Sequence, residues 1–147
     1  MFKLDLKDKV ILITGGSDGL GFASAKLLSN EGAKIIICGR RGDYLKEKAN
    51  TIREETGNEV LDVVCDVTSP EDCKTLIEKV ISNYKNIDVL VNNAGTSAAA
   101  GFEEVSDKAW EDDINLKLMA AVRVSRLVVP YMKKRNKGSI INAAIGG

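Results

Sequence analysis

Short runs of β-branched apolar residues alternate along this chain with longer stretches in which apolar side chains return every three or four positions. Val10-Ile11-Leu12-Ile13 has no polar interruption and is stopped by Thr14-Gly15-Gly16, which predicts a strand buried on both faces. Lys34-Ile35-Ile36-Ile37-Cys38 repeats the pattern, and Val60–Cys65, Ile87–Val91 and Ser139–Ala143 extend it to five predicted strands. Between them, Leu20, Ala23, Leu27 and Leu28 form a helical stripe closed by Gly32, and a charged helix runs from Asp43 to Glu55 and ends at Gly57. Ser69-Pro70-Glu71-Asp72 is a strong helix start, with a serine cap, proline at the first helical position and acids in the first turn. That helix turns Cys73, Leu76, Ile77, Val80 and Ile81 inward, and a long helix is predicted from about Asp107 to Lys134. No repeat, linker or low-complexity segment interrupts the series.

Five strands separated by helices require a parallel sheet, because parallel neighbours need a crossover. Right-handed crossovers and the usual nucleotide-binding arrangement predict the order 3-2-1-4-5, an α/β fold of the Rossmann-type doubly wound class. The 147 residues are read as one domain, incomplete at its C-terminus. Twenty-one basic residues balance twenty-one acidic ones, so no bulk attraction to nucleic acid or to an anionic membrane follows. No apolar run approaches the roughly 18 residues of a membrane helix, and Met1 to Lys9 lacks an apolar signal core, so a cytoplasmic location is expected. Cys38 and Cys65 close apolar runs and are expected to be reduced and buried. Histidine is absent, which removes the commonest metal ligand and the usual general base.

Between the first strand and the first helix stands Thr14-Gly15-Gly16-Ser17-Asp18-Gly19-Leu20-Gly21. Glycine lets the backbone turn sharply there and approach a ligand, and the following helix start offers unpaired N–H groups to a pyrophosphate. The same loop reads equally as a tight turn that needs glycines and binds nothing.

Together with Cys65-Asp66-Val67, Asn92-Asn93-Ala94-Gly95 and Asn115, the spacing T-G-x-x-x-G-x-G resembles the short-chain dehydrogenase/reductase family across essentially the whole chain. The resemblance implies that Gly15, Gly19 and Gly21 shape a diphosphate site lined by Ser17, Asp18 and Leu20. It implies that Asp66 and Val67 flank an adenine, that Asn93, Ala94 and Gly95 follow the cofactor, and that Asn92 braces the sheet. Asn115 would be the family's catalytic asparagine, in a proton relay.

The end of the second strand decides which nicotinamide cofactor is expected. An NAD site usually places an acid there, about 20 residues beyond the loop, for the ribose 2′-OH. This chain reads Cys38-Gly39-Arg40-Arg41, with no carboxylate until Asp43. A guanidinium grips a 2′-phosphate that an aspartate would repel, so NADP(H) is expected over NAD(H), with Arg40 as its ligand and Arg41 as a helper or a solvated bystander. Asp18 is a departure, since many relatives that prefer the phosphorylated cofactor carry a basic residue near that point.

The family's reaction moves a hydride between nicotinamide and a carbonyl/alcohol pair, with a tyrosine as proton donor or acceptor, a lysine four residues later, and a serine on the substrate oxygen. Where the serine is expected after the fifth strand, this chain reads Asn142-Ala143-Ala144-Ile145. Ser139 lies six residues from position 145, roughly 20 Å at strand rise, and cannot deputise. Tyr44 and Lys48 have the tyrosine–lysine spacing but are read as a helix-face pair at the adenosine end, and Tyr131 and Arg135 have the wrong base in the wrong place. The expectation is therefore an NADP(H)-dependent oxidoreductase represented by its cofactor-binding portion and inactive by itself. The alternatives are a non-catalytic nucleotide-binding or interaction module, or an inert product. An apolar stripe of Ile114, Leu118, Ala121, Val122, Leu127 and Val128 on the long helix predicts self-association, hence a homo-oligomer.

Overall fold

The five apolar runs become β1 (Val10–Thr14), β2 (Lys34–Gly39), β3 (Val60–Val64), β4 (Val89–Asn92) and β5 (Ser139–Asn142) in the computed structural model, which describes residues 4–95 and 100–144. All pairings are parallel and the order is β3-β2-β1-β4-β5, as the alternation predicts. Ile11 faces Ile35 on one side and Val89 on the other, a register that brings the carboxyl ends of β1 and β4 level.

The strands lack polar alternation because both sheet faces are covered. Ile11, Ile13, Ile35 and Ile37 pack against α1 (Gly19–Asn30) and α2 (Gly42–Thr56), chiefly Ala25, Leu45, Ala49 and Ile52. Val10, Leu12, Ile36 and Leu90 meet α3 (Pro70–Tyr84) and α5 (Ala120–Arg135) on the opposite face, through Leu76, Val80, Val124 and Val128. Each fully buried aliphatic side chain contributes roughly 1.5–3 kcal/mol relative to exposure. Ser69 caps α3 as predicted, its hydroxyl accepting the Asp72 N–H at 3.2 Å.

Two helices differ from the sequence reading. Most of the stripe anticipated on α1 is not its inner face: Leu20 is 79% and Leu27 68% exposed and Ala23 is exposed, Leu28 alone of the four packs partly buried on the core, and Gly21, Ala25 and Ser29 are buried. Small side chains let α1 lie close to the sheet, and they carry no strong hydrophobic signal. The long helix keeps its predicted extent, from Asp107 to Arg135, but consists of α4 (Asp107–Ile114), a π-helical turn over Asn115–Met119, and α5. Its apolar stripe also divides. Val128 is fully buried on the sheet, Ala121 and Leu127 are half-buried, and Ile114, Leu118 and Val122 stay exposed at four-residue spacing.

At the amino ends of the strands a buried carboxylate ties three elements together. Asp88 accepts the Val10 N–H at 2.8 Å and the Arg135 guanidinium at 2.8 Å. Burial would raise its pKa, but the Val10 amide and then Arg135 outweigh it and hold the carboxyl below its ordinary value.

Candidate functional site

Strand order reverses between β1 and β4, which leaves a crevice at the carboxyl ends where helices depart to opposite faces. A cleft of about 1000 Å³ occupies it. Eleven residues anticipated from the sequence line this space: Gly15, Ser17, Asp18, Gly19 and Leu20 after β1, Arg40 after β2, Asp66 and Val67 after β3, and Asn93, Ala94 and Gly95 after β4. Gly21 and Asn115 do not.

Gly21 sits behind the wall and sets its thickness. A Cβ there would lie 2.3 Å from the Gly15 carbonyl oxygen and 2.5 Å from Asn93 Nδ2, so only glycine lets α1 start this close to β4. Gly19, with φ +52°, lines the cleft and has nothing within 4 Å of its ideal Cβ position. Thr14, which the sequence reading placed in the loop without a role, has one here. Its buried hydroxyl accepts the N–H groups of both Asn93 and Ala94 at 3.0 Å, while Asn93 Nδ2 donates to the Gly15 carbonyl at 3.2 Å. The loops after β1 and β4 are thereby joined. Thr14 opens the T-G-x-x-x-G-x-G spacing, but the spacing alone does not say which amides its hydroxyl meets.

The start of α1 is free to receive an anion. Asp18 stands at the N-cap position, yet its side chain makes no capping hydrogen bond to the helix. The carboxylate turns outward instead, where it accepts Arg41 Nη2 at 2.9 Å and the Tyr44 hydroxyl. The Arg41 guanidinium in turn stacks on the Tyr44 ring, 4.1 Å from its centroid. First-turn amides left uncapped beside a glycine with no side chain make a cradle that fits a diphosphate.

Arg41 is therefore engaged rather than a bystander. Arg40 is exposed at the cleft and forms no ion pair among the described residues. It also lies close enough to act on Asp66. The Thr68 hydroxyl and then the Thr68 amide, both donating to Asp66 Oδ1, lower the Asp66 pKa, and the Arg40 charge adds to them. Asp66 is thus fixed as an anion that turns the chain from β3 toward α3, with Val67 buried beside it.

Asn115 opens the π-helical turn, and its carbonyl accepts the Ala120 N–H five residues on. The side chains that reach the cleft from this turn are those of Leu116, Lys117 and Leu118. Lys117 was not anticipated. It pairs with Asp113 at 2.8 Å, and its stem passes over Gly95, whose ideal Cβ would lie 3.8 Å from Lys117 Cγ. Asn92 braces the sheet as expected, donating to Asn142 Oδ1 at 2.9 Å and Ser125 Oγ at 3.1 Å. Ala143 and Ala144 reach the cleft beyond β5, and position 145 lies outside the described residues. Lys48 rests 5.2 Å from the Tyr44 ring centroid on α2, a helix-face pair, and Arg135 is committed to Asp88 at the opposite end of the sheet.

Comparison with known proteins agrees with this geometry. The family model for short chain dehydrogenase matches residues 9–145. The chain belongs to the short-chain dehydrogenase/reductase family. Within that family, the 3-oxoacyl-[acyl-carrier-protein] reductase of Thermotoga maritima is 38% identical over 142 residues, covering 95% of this chain and 56% of its own length. L-sorbose reductase from Gluconobacter frateurii, solved with NADPH and L-sorbose, superposes with a TM-score of 0.90 at 40% identity, covering 95% of this chain and 53% of that one. An NAD+-bound xylitol dehydrogenase superposes with a TM-score of 0.87 at 30% identity, covering 92% and 52%. The chain spans about half the length of the curated relatives it matches. The Rossmann-type fold is shared with these neighbours, and no helix among the described residues is long and apolar enough to cross a membrane.

Proposed function

We propose that residues 1–147 form the dinucleotide-binding domain of an NADP(H)-dependent oxidoreductase that acts on a carbonyl/alcohol pair. The observation that carries this reading is the uncapped start of α1 at the same cleft as Arg40, which forms no ion pair among the described residues. In it, Gly15, Ser17, Asp18, Gly19 and Leu20 surround the diphosphate, with Gly21 holding the helix close. Asp66 and Val67 flank the adenine, Asn93, Ala94 and Gly95 border the remainder of the cofactor, and Asn115 supports proton transfer. A bound nicotinamide would supply or accept the hydride. Both cofactor forms occur among the structural neighbours, so the preference rests on the lack of an acid between β2 and Asp43 and on Arg40, whose guanidinium pairs with a 2′-phosphate.

Neither tyrosine with a base four residues on belongs to the cleft, so the 147 residues are expected to bind cofactor without turning over a carbonyl. Association through the exposed Ile114, Leu118 and Val122 accompanies the proposal, as does a cytoplasmic location. Fluorescence titration with NADPH and NADH tests it. NADPH should bind more tightly, and Arg40→Asp should weaken NADPH at least tenfold, since a hydrogen bond to a charged group contributes about 1.5–3 kcal/mol. An unchanged preference in Arg40→Asp, or equal affinity for NADH in the wild type, would refute the NADP(H) assignment.

A further inference from the structure

The amino ends of β1, β4 and β5 gather cations that the zero net charge of the chain conceals. Four of the five residues from Lys133 to Lys137 are basic, and Lys9 precedes β1 at the same end of the sheet. We infer that Lys9, Arg135 and Lys137 form a further anion site, suited to a tetrahedral phosphoryl group and placed at the end of the sheet opposite the dinucleotide cleft. Nothing in it depends on the NADP(H) reading.

Strand register places the two lysines. Ile11 and Ser139 both pair with Val89, so Lys9 and Lys137, each two residues earlier, stand level on either side of the β4 strand. Two strand spacings separate their backbones by roughly 10 Å, a gap that two lysine stems can close. The ammonium groups do converge, since Lys9 foremost holds the Lys137 amine below its ordinary pKa. The carboxylate between them is already spent: Asp88 Oδ2 accepts the Val10 amide and Oδ1 accepts Arg135 Nη1, each at 2.8 Å. Neither lysine has an ion-pair partner among the described residues, and there only Nη1 of Arg135 is engaged. Three cations thus face one satisfied carboxylate. The negative end of α5 accounts for Lys133, Lys134 and Arg135 in its last turn, but not for Lys9, which arrives with β1.

A phosphoryl group supplies close to two negative charges at neutral pH, with oxygens directed to separate corners. It can therefore accept from both ammonium groups and from the free edge of the guanidinium at once. The five residues of β1 keep this site roughly 15 Å from the glycine loop, so its occupancy leaves the cleft open. Removing one cation beside a dianion in water should weaken binding about tenfold.

Inorganic phosphate is the probe, titrated calorimetrically into the 147-residue chain against sodium chloride of equal ionic strength, with thermal unfolding followed in parallel. Wild type and Arg40→Asp should both bind phosphate and gain in Tm. Lys9→Gln and Lys137→Gln should each bind it about tenfold more weakly and lose that gain, with NADPH titrations unchanged. Lys137 is exposed, so its replacement tests the site without disturbing the core. Nuclear magnetic resonance of the lysine side chains should show Lys137 titrating below the others and rising again when phosphate is added. Glycerol phosphate separates the sources: tighter binding than inorganic phosphate marks the phosphoryl group of a larger molecule, weaker binding marks the free ion, and both support the site. An equal gain in Tm across all variants means that phosphate acts as bulk salt, which overturns the inference. A gain lost in Arg40→Asp but kept in both lysine variants puts the phosphate in the dinucleotide cleft, which also overturns it.

Discussion

Gly19 and Gly21, two residues apart in the same loop, should fail in different ways when given a methyl group. At Gly21 the added Cβ would meet a backbone oxygen at 2.3 Å and the Asn93 amide at 2.5 Å, distances that require the wall to move. Overpacking of this kind costs about 1–3 kcal/mol, and displacing Asn93 forfeits its hydrogen bond to Gly15, a further ~1 kcal/mol. Gly21→Ala should therefore lose about 2–4 kcal/mol of stability. Gly19 has φ +52° and open space around its Cβ position, so Gly19→Ala pays only the left-handed strain of about 1–2 kcal/mol. Gly19 lines the cleft at the first position of α1, however, so its methyl is expected to narrow the space a diphosphate needs. NADPH affinity should fall by at least tenfold in Gly19→Ala, out of proportion to its stability loss. Urea unfolding followed by circular dichroism gives the first quantity and NADPH fluorescence the second. A Gly19→Ala chain that binds NADPH normally would show that the cradle is not the diphosphate site. Equal stability losses in the two variants would show that the close approach at Gly21 is not what demands glycine.

Two pH dependences follow from buried groups. Asp88 has a depressed pKa, so its contribution is present above the unfolded carboxylate value of about 3.9 and is lost as pH falls through the lower folded value; urea midpoints should drop there. Asp88→Asn should cost about 1–3 kcal/mol at neutral pH and flatten that acid limb, and an acid limb as steep as the wild type's would contradict the role given to Asp88. At the other extreme, the neighbouring Cys38 thiol, ahead of burial, pushes the Cys65 thiol up to about 12, and Cys65 with burial raises Cys73 further. Their stabilising contribution is complete below the unfolded thiol pKa and declines as pH rises beyond about 9, at up to ~1.4 kcal/mol per pH unit for each thiol. Iodoacetamide should label the native cysteines slowly at pH 8 and rapidly in urea, and fast native labelling would contradict their burial.

The sheet was legible because strands covered on both faces must be apolar throughout, so Val10–Ile13 and Lys34–Cys38 announce themselves and the crossovers fix their order. The glycine loop and the segments after β3 and β4 were legible for a related reason: the topology sends every carboxyl end to one edge. The inner face of α1 was hidden, because Gly21, Ala25 and Ser29 are chosen for smallness and hydrophobic periodicity looks for bulk. The π-helical turn was hidden too, since one extra residue per turn over Asn115–Met119 scarcely disturbs a polar and apolar pattern. Thr14, Lys117 and the Asp18–Arg41–Tyr44 cluster depend on which side chains meet across elements. Asp18 and Arg41 are 23 residues apart, and no spacing rule relates them.

The hydroxyl of Thr14 has a mechanical consequence. Because it takes two amides from the β4 side while Asn93 reaches back to the β1 side, three hydrogen bonds must break before either bank of the crevice can drift from the other. The two banks therefore fluctuate as one plate, and a nucleotide settling on the glycine side meets the Asn93–Gly95 side already in position, with less ordering left for binding to supply.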